Sequence, residues 1–421
     1  MATDEPRLFA AQAVRAFSYG LGAVLLGTSL EQQGWSSGRA ALLYAAVLTG
    51  TVVANVVVGA RADRWGRRAT YARLCVLLLA AGAVLATTDH PAALFAVALT
   101  GALSTDVIES GPFTTLEQAM LGTRRSGQRL LRGLGTYNAI AAAAGSLGAL
   151  AAGMTIDRRA FAVLAVAGAA AFALTRRLSP AVEVDRVDET AAPAGPAPDR
   201  QGEIRRLAVL FSLDSFGGGF VAQSYLAFFL ADRFDASPST VGATFAALGV
   251  LSTISFLLAP VLGGRIGLLE TMVVTHVPSS VFLAAVVFAP SLPLAVACLA
   301  ARALLSQMDV PTRQAFLLAL VGPRERSRAI ATTNTARYLT RPVGAALAGG
   351  AASLAVGAPL LAAALIKVTY DAAVWRTFRD VPLRSHPSPR RTTDDLGDPV
   401  TTQDRSHRVP VADRSLHRPG R

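Results

Sequence analysis

Asp106 and Glu109 stand three positions apart in a long apolar stretch, so a helix there places both carboxylates on one face. Two carboxylates this close in a medium of low dielectric do not both ionise readily, and one keeps its proton. That is the chemistry of a group that loads and releases a proton. The same pair also suits a structural role, ion-paired to Arg15 or to arginines near Arg313. Other charges interrupt apolar stretches too: Arg15, Glu117, Asp214, Arg302, Asp309, Arg313, Arg337 and Arg341. An ion at mid-bilayer costs about 2.5–3.5 kcal/mol, so each of these needs a partner or a wet cavity. Asp309 and Arg313, four apart, can satisfy each other. No Walker loop, G-x-S-x-G, H-E-x-x-H or dinucleotide fingerprint occurs, which argues against an enzyme or an ATP-driven pump of the Walker class. Cys75 and Cys298 form no C-x-x-C or Cys/His cluster, so the sequence implies neither a metal site nor a cofactor.

The elements that hold these charges are apolar blocks. Of 421 residues 52% are hydrophobic and only 16% charged, with mean hydropathy +0.43. Soluble domains lie nearer a quarter charged. Twelve blocks of about 20 residues match the roughly 30 Å hydrocarbon core of a bilayer. Six fall at 8–30, 39–60, 69–88, 91–121, 133–153 and 161–174. Six more fall at 207–230, 241–263, 268–289, 293–321, 329–352 and 356–375. The expected organisation is an N-terminal six-helix bundle (1–174), a polar, proline-bearing linker (175–206), a second six-helix bundle (207–376) and a disordered tail (377–421). The fold class is an all-α membrane protein. The first block lacks the basic start and cleavage site of a signal peptide and reads as a retained span.

A net charge of +12 raises the question of nucleic acid, but the arginines fall in short loops and tails, not on one soluble face. Arg61, Arg64, Arg67 and Arg68, then Arg124, Arg125, Arg129 and Arg132, then Arg324, Arg326 and Arg328 occupy alternate loops. Positive loops mark the cytoplasmic side, so both termini and the linker are expected there, in a plasma (cytoplasmic) membrane with lipid as the surrounding partner. The halves also repeat. Asn138, Gly148 and Gly153 recur as Asn334, Gly344 and Gly349, each displaced by 196, while Arg15, Phe17 and Gly20 echo Asp214, Phe216 and Gly219, displaced by 199. Two parallel bundles related by an axis along the membrane normal produce this order.

One run carries more than topology. Gly59-Ala60-Arg61-Ala62-Asp63-Arg64-Trp65-Gly66-Arg67-Arg68 reads G-x-x-x-D-R-x-G-R-R and lies between the second and third blocks. It resembles the loop signature of the major facilitator superfamily of secondary transporters. The proline-plus-glutamate run Gly111 to Ala119 is similar to one in an uncharacterised bacterial branch of that superfamily. The resemblance implies twelve transmembrane helices in two pseudo-symmetric bundles, with spans one, four, seven and ten lining a central cavity. It also implies a cytoplasmic gate in which Asp63 latches with Arg64 and Arg67, beside Gly59, Gly66 and Arg68. A solvated basic loop that only sets topology is the alternative. Pro112 and Pro311 read as kinks within spans four and ten.

The function expected from all this is alternating-access transport of a small organic solute. Protons are the expected coupling ion and efflux the expected direction, by a monomer without nucleic-acid partners. Arg15, Asp106, Glu109, Asp214, Asp309 and Arg313 are the candidate substrate or proton sites. The arginines favour an anionic or zwitterionic solute and the span-four acids a cation. A non-transporting sensor or assembly protein on the same scaffold is the alternative.

Overall fold

The computed structural model describes residues 4–383 apart from 36, 105–107, 109–110, 124, 153–157, 184–199 and 222. Its first half contains α1 (Asp4–Gln32), α2 (Ser37–Trp65), α3 (Arg67–Thr87), α4 (Pro91–Leu99), α5 (Pro112–Thr123), α6 (Gly127–Ala152) and α7 (Ala162–Thr175). The second contains α8 (Gln201–Gly219), α9 (Gln223–Phe234), α10 (Pro238–Ile266), α11 (Leu268–Phe288), α12 (Leu292–Ser306), α13 (Asp309–Leu320), α14 (Arg326–Ala352) and α15 (Ala358–Phe378). Among the described residues there is no strand. Among the described residues, seven stretches are long and apolar enough to cross a bilayer, one of them running through α12 and α13 as Leu292–Leu320. Counting α4 with α5, α8 with α9 and α12 with α13 gives the twelve spans.

Those three broken spans differ from the unbroken blocks expected from hydropathy. Short polar runs such as Ser306, Gln307 and Asp309 fall at the breaks, and an average over about twenty residues absorbs them into one apolar block. Pro112 is the first residue of α5 and Pro311 the third of α13, so both prolines start helices and do not bend one in its interior. A proline in the first turn loses no intrahelical bond, because the amides there have no partner. The tail beyond residue 383, most of the linker, Asp106 and Glu109 lie outside the described residues.

The run from Gly59 to Arg68, expected as a loop, is helical on both sides of a single joint. α2 continues to Trp65 and α3 starts at Arg67. Gly66 makes the turn with φ 86° and ψ 128°, and Gly267 makes the corresponding turn between α10 and α11 with φ 99° and ψ 164°. A side chain is strained in that region by about 1–3 kcal/mol. Gly66→Ala is therefore expected to lower stability by about that amount, measured by chemical denaturation of the purified protein; an unchanged midpoint would show that the joint relaxes freely.

Small residues set the helix packing, and they do so twice. A Cβ on Gly20 would strike the carbonyl of Gly145, and one on Gly148 that of Phe17, so α1 and α6 approach backbone to backbone. In the second half Gly219 meets the carbonyl of Arg341 and Gly344 that of Phe216, bringing α8 onto α14 in the same way. Both pairs of contacts follow the 199 and 196 displacements of the sequence. Small residues permit such approach in lipid, where packing and not the hydrophobic effect drives association.

The apolar core is continuous between the halves only at one end. There Phe316, Leu318, Ile330 and Phe378 of the second half join a cluster with Leu74, Leu116, Leu121 and Leu131 of the first. At the other end the second half keeps a separate core around Phe229, Leu230, Leu283, Leu299 and Leu360.

Candidate functional site

Each half buries an ion pair at corresponding positions with the charges exchanged. In the first half Arg15 on α1 pairs with Glu117 on α5, both without solvent exposure. Tyr71 donates to Glu117 Oε1 at 2.5 Å, and Tyr137 donates to Oε2. Gln12 Oε1 accepts from the guanidinium, which lies 4.9 Å from the ring centre of Phe113. The carboxylate is satisfied by three donors, so this pair is a closed structural core. Displacing the pair by 199 and 196 gives Asp214 and Arg313, which stand 3.5 Å apart on α8 and α13.

The second pair is open and larger. Lys367 of α15 donates to Asp214 Oδ1 at 2.5 Å, and Arg313 binds Asp309 at 2.9 Å. His276 of α11 sits 3.6 Å from Asp214 and 3.5 Å from Lys367, while its Nδ1 lies 2.9 Å from Asp371 of α15. Asp214, His276, Asp309, Arg313 and Lys367 line a cavity of ≈ 300 Å³ together with Arg302, Arg337 and Arg341. Among the described residues of the lining, five are arginine or lysine and two are carboxylates. Among the described residues, every one that lines this cavity belongs to the second half except Ile108. The breaks at the ends of α8 and α12 open onto it through Gly218, Val221, Ser306 and Gln307. Discontinuous helices of this kind free backbone groups where irregular structure is tolerated, beside a cavity.

Asp214, Asp309 and Arg313 therefore come together, whereas Arg15 is held away from them by Glu117. His276, Lys367 and Asp371 were not among the expected site residues. Their signal was present: Lys367 and Asp371 are four apart in an otherwise apolar block. Attention to spans one, four, seven and ten passes over α11 and α15, which carry all three.

The second constellation lies at the end where the core is continuous. Arg67, fully buried, donates from Nε to Asp63 Oδ1 at 2.7 Å, from one terminal nitrogen to Thr123 at 2.7 Å and the Ala119 carbonyl at 3.2 Å and, across the halves, from the other to the Pro323 carbonyl at 3.0 Å. Ser327 of α14 donates to the same Asp63 oxygen at 3.0 Å. Arg326 donates to the Gly122 carbonyl, and Asn55 of α2 donates to the Ala331 carbonyl and Thr335 at 3.1 Å each. Gly59 packs directly on Ala331, and Arg64 is exposed, without a hydrogen bond or ion pair among the described residues. The amides of Arg67 and Arg68 donate to Glu183 at 2.7 and 3.0 Å, so a carboxylate caps the N-terminus of α3 where the helix dipole favours one. Arg326 and Glu183 were not assigned to this network beforehand, because their contacts join segments far apart in sequence.

Known proteins share this fold. A human organic anion transporter superposes with TM-score 0.73 at 16% identity, covering 89% of this chain and 99% of its own. The fucose:proton symporter of Escherichia coli gives 0.71 at 12% identity, over 88% and 97%. A bacterial homologue of the iron transporter ferroportin, in an outward-facing state, gives 0.67 at 14%, over 89% and 98%. At these identities the likeness is one of fold. In sequence, an uncharacterized membrane protein of Saccharomyces cerevisiae is 23% identical over 391 residues, 82% of this chain and 87% of that protein. Residues 8–277, which contain the run from Gly59 to Arg68 and nearly all of the first half, match the Major Facilitator Superfamily, and the chain is a multi-pass membrane protein belonging to that superfamily of transporters.

Proposed function

We propose that the chain is a proton-coupled secondary transporter working by alternating access, and that the arrangement described is its state closed at the Gly66 end. The observation that carries this reading is the latch. Asp63, Arg67, Arg326 and Asn55 bind across the halves at one end, while a charged cavity lies deeper in the same molecule. Rocking of two bundles about a central site needs a set of contacts that breaks at one end when the other closes. Arginine-rich loops assign the closed end to the cytoplasm of a plasma membrane, with both termini. The cavity then faces outward.

Proton coupling is assigned to the second half, where Asp214 is shared by Lys367, Arg313 and His276 and a proton can compete with them for one carboxylate. Asp106 and Glu109 are the candidates for the same task from the first half, and export is the direction that the resemblance favours.

Alternating access is testable without knowing the solute. With Cys75 and Cys298 replaced by Ala, Ser215→Cys puts a single thiol in the cavity wall. A membrane-impermeant maleimide is expected to reach it from the outside and poorly from the cytoplasm. Adding Asp63→Asn, which weakens the latch and keeps its shape, is expected to raise cytoplasmic labelling several-fold. Labelling that is identical from both sides in both backgrounds would support a static scaffold instead.

A further inference from the structure

Among the described residues, the wall of this cavity carries a cation, Arg302, that its two acids do not hold. Lys367 and Arg313 take the two oxygens of Asp214, and Arg313 also holds Asp309 through Oδ2, whose Oδ1 has no hydrogen-bond partner among the described residues. Arg302, one turn before the end of α12, faces the same space. It has no hydrogen-bond or ion-pair partner among the described residues, and its Nε is buried. Asp214 is the acid that acts on it, and that carboxylate is already shared.

A guanidinium presents five N–H donors in a rigid fork, and holding one inside a membrane protein without an anion is costly. The fork matches two oxygens of a carboxylate or phosphate. Described residues of the first half add no charge here: Ile108 is their one contribution to the lining, and Arg15 with Glu117 is closed on itself. The cavity, ≈ 300 Å³, stands at the small end of ligand pockets, and among the described residues no Phe, Tyr or Trp lines it.

We propose that this cavity binds a small organic anion, with Arg302 making a two-pronged contact to its carboxylate or phosphate group. The proposal rests on the transporter reading above and names the substrate class for it. Lys367 and Arg313 set the local potential, and Asp214 keeps them from closing on the ligand themselves. Binding uses the Arg302 charge, which the described residues leave without a hydrogen-bond or ion-pair partner.

The test is thermal unfolding of the full chain in lipid nanodiscs. The probes are succinate and citrate as carboxylates, glycerol phosphate as a phosphate ester, and tetraphenylphosphonium and glucose as cationic and neutral controls. At least one anionic probe is expected to raise Tm, and the ranking of carboxylates against the phosphate ester assigns the group. Arg302→Gln is expected to weaken that probe by about 10- to 100-fold, the range for a lost charge-assisted hydrogen bond. Without any probe, Arg302→Gln is expected to melt at or above the wild-type temperature, since it removes an uncompensated buried charge. A lower Tm for the empty variant with undiminished stabilisation by anions would make Arg302 structural and overturn the proposal. So would stabilisation by the cation or the sugar alone, or none by any anion at millimolar concentration. None of these results touches the transporter reading, which stands or falls on the labelling of Ser215→Cys.

Discussion

Glu117→Leu is expected to cost about 3–5 kcal/mol of stability, read as loss of folded protein after extraction or as an early transition in denaturant. The Glu117 carboxylate receives Arg15, Tyr71 and Tyr137 together, and all four side chains are at most 1% exposed. Removing it leaves a buried guanidinium with Gln12 and ring faces for company, and two phenol hydroxyls without an acceptor. A broken buried pair is costly because the surviving ion stays desolvated; the intact pair itself contributes little compared with apolar side chains of similar volume. Arg15→Met combined with Glu117→Leu is therefore expected to recover most of the loss, and Glu117→Gln, which keeps an acceptor, to fall between. Wild-type stability in Glu117→Leu alone would show that water reaches Arg15. The pair also stands outside the cavity lining, so the double variant is expected to keep its transport. An equivalent exchange at Asp214 and Arg313 is expected to abolish it.

That contrast marks what the sequence could and could not convey. The spans were legible because twenty apolar residues in a row have few alternatives in water or lipid. The duplication was legible because glycines at helix crossings cannot be replaced without a collision: Gly148 and Gly344 keep their places for the same reason, each touching a carbonyl of the partner helix. Charge pairing was not legible, since it joins helices with no period between them. Arg15 could pair with any of three acids in span four, and its choice of Glu117 depends on where Tyr71 and Tyr137 converge. His276 and Asp371 illustrate the same limit. A lone histidine in an apolar block looks like core until α15 brings a carboxylate to its Nδ1. The run around Asp63 was readable as a latch only through its resemblance, and its partners across the halves, Ser327 and the Pro323 carbonyl, carry no motif at all. Helix breaks were hidden for a different reason: Gly219 and Ser306 end helices at polar runs too short to divide an apolar block of about twenty residues.

Gly59→Ala separates the latch from the fold. Gly59 is buried on α2, and a Cβ there would run into the Cβ of Ala331 on α14, with the Ser327 carbonyl 3.2 Å away. Overpacking of this kind costs about 1–3 kcal/mol. The cost falls on the closed state alone, because the two helices belong to different halves and part when that end opens. The closed population should then drop by about 5- to 150-fold relative to the open one, and turnover with it wherever closure limits the cycle. Proteoliposome flux under a proton gradient measures the loss. Ala331→Gly removes the opposing methyl, and its helix-propensity cost of about 1 kcal/mol is borne by both states alike. The pair Gly59→Ala with Ala331→Gly is therefore expected to transport close to wild type. Rescue of this kind is not available at Gly66, whose constraint is its own backbone and not a neighbour. A flux unchanged by Gly59→Ala, or a loss that Ala331→Gly does not repair, would mean that the α2–α14 contact persists through the cycle, and the Gly66 end would then serve as a hinge and not as a gate.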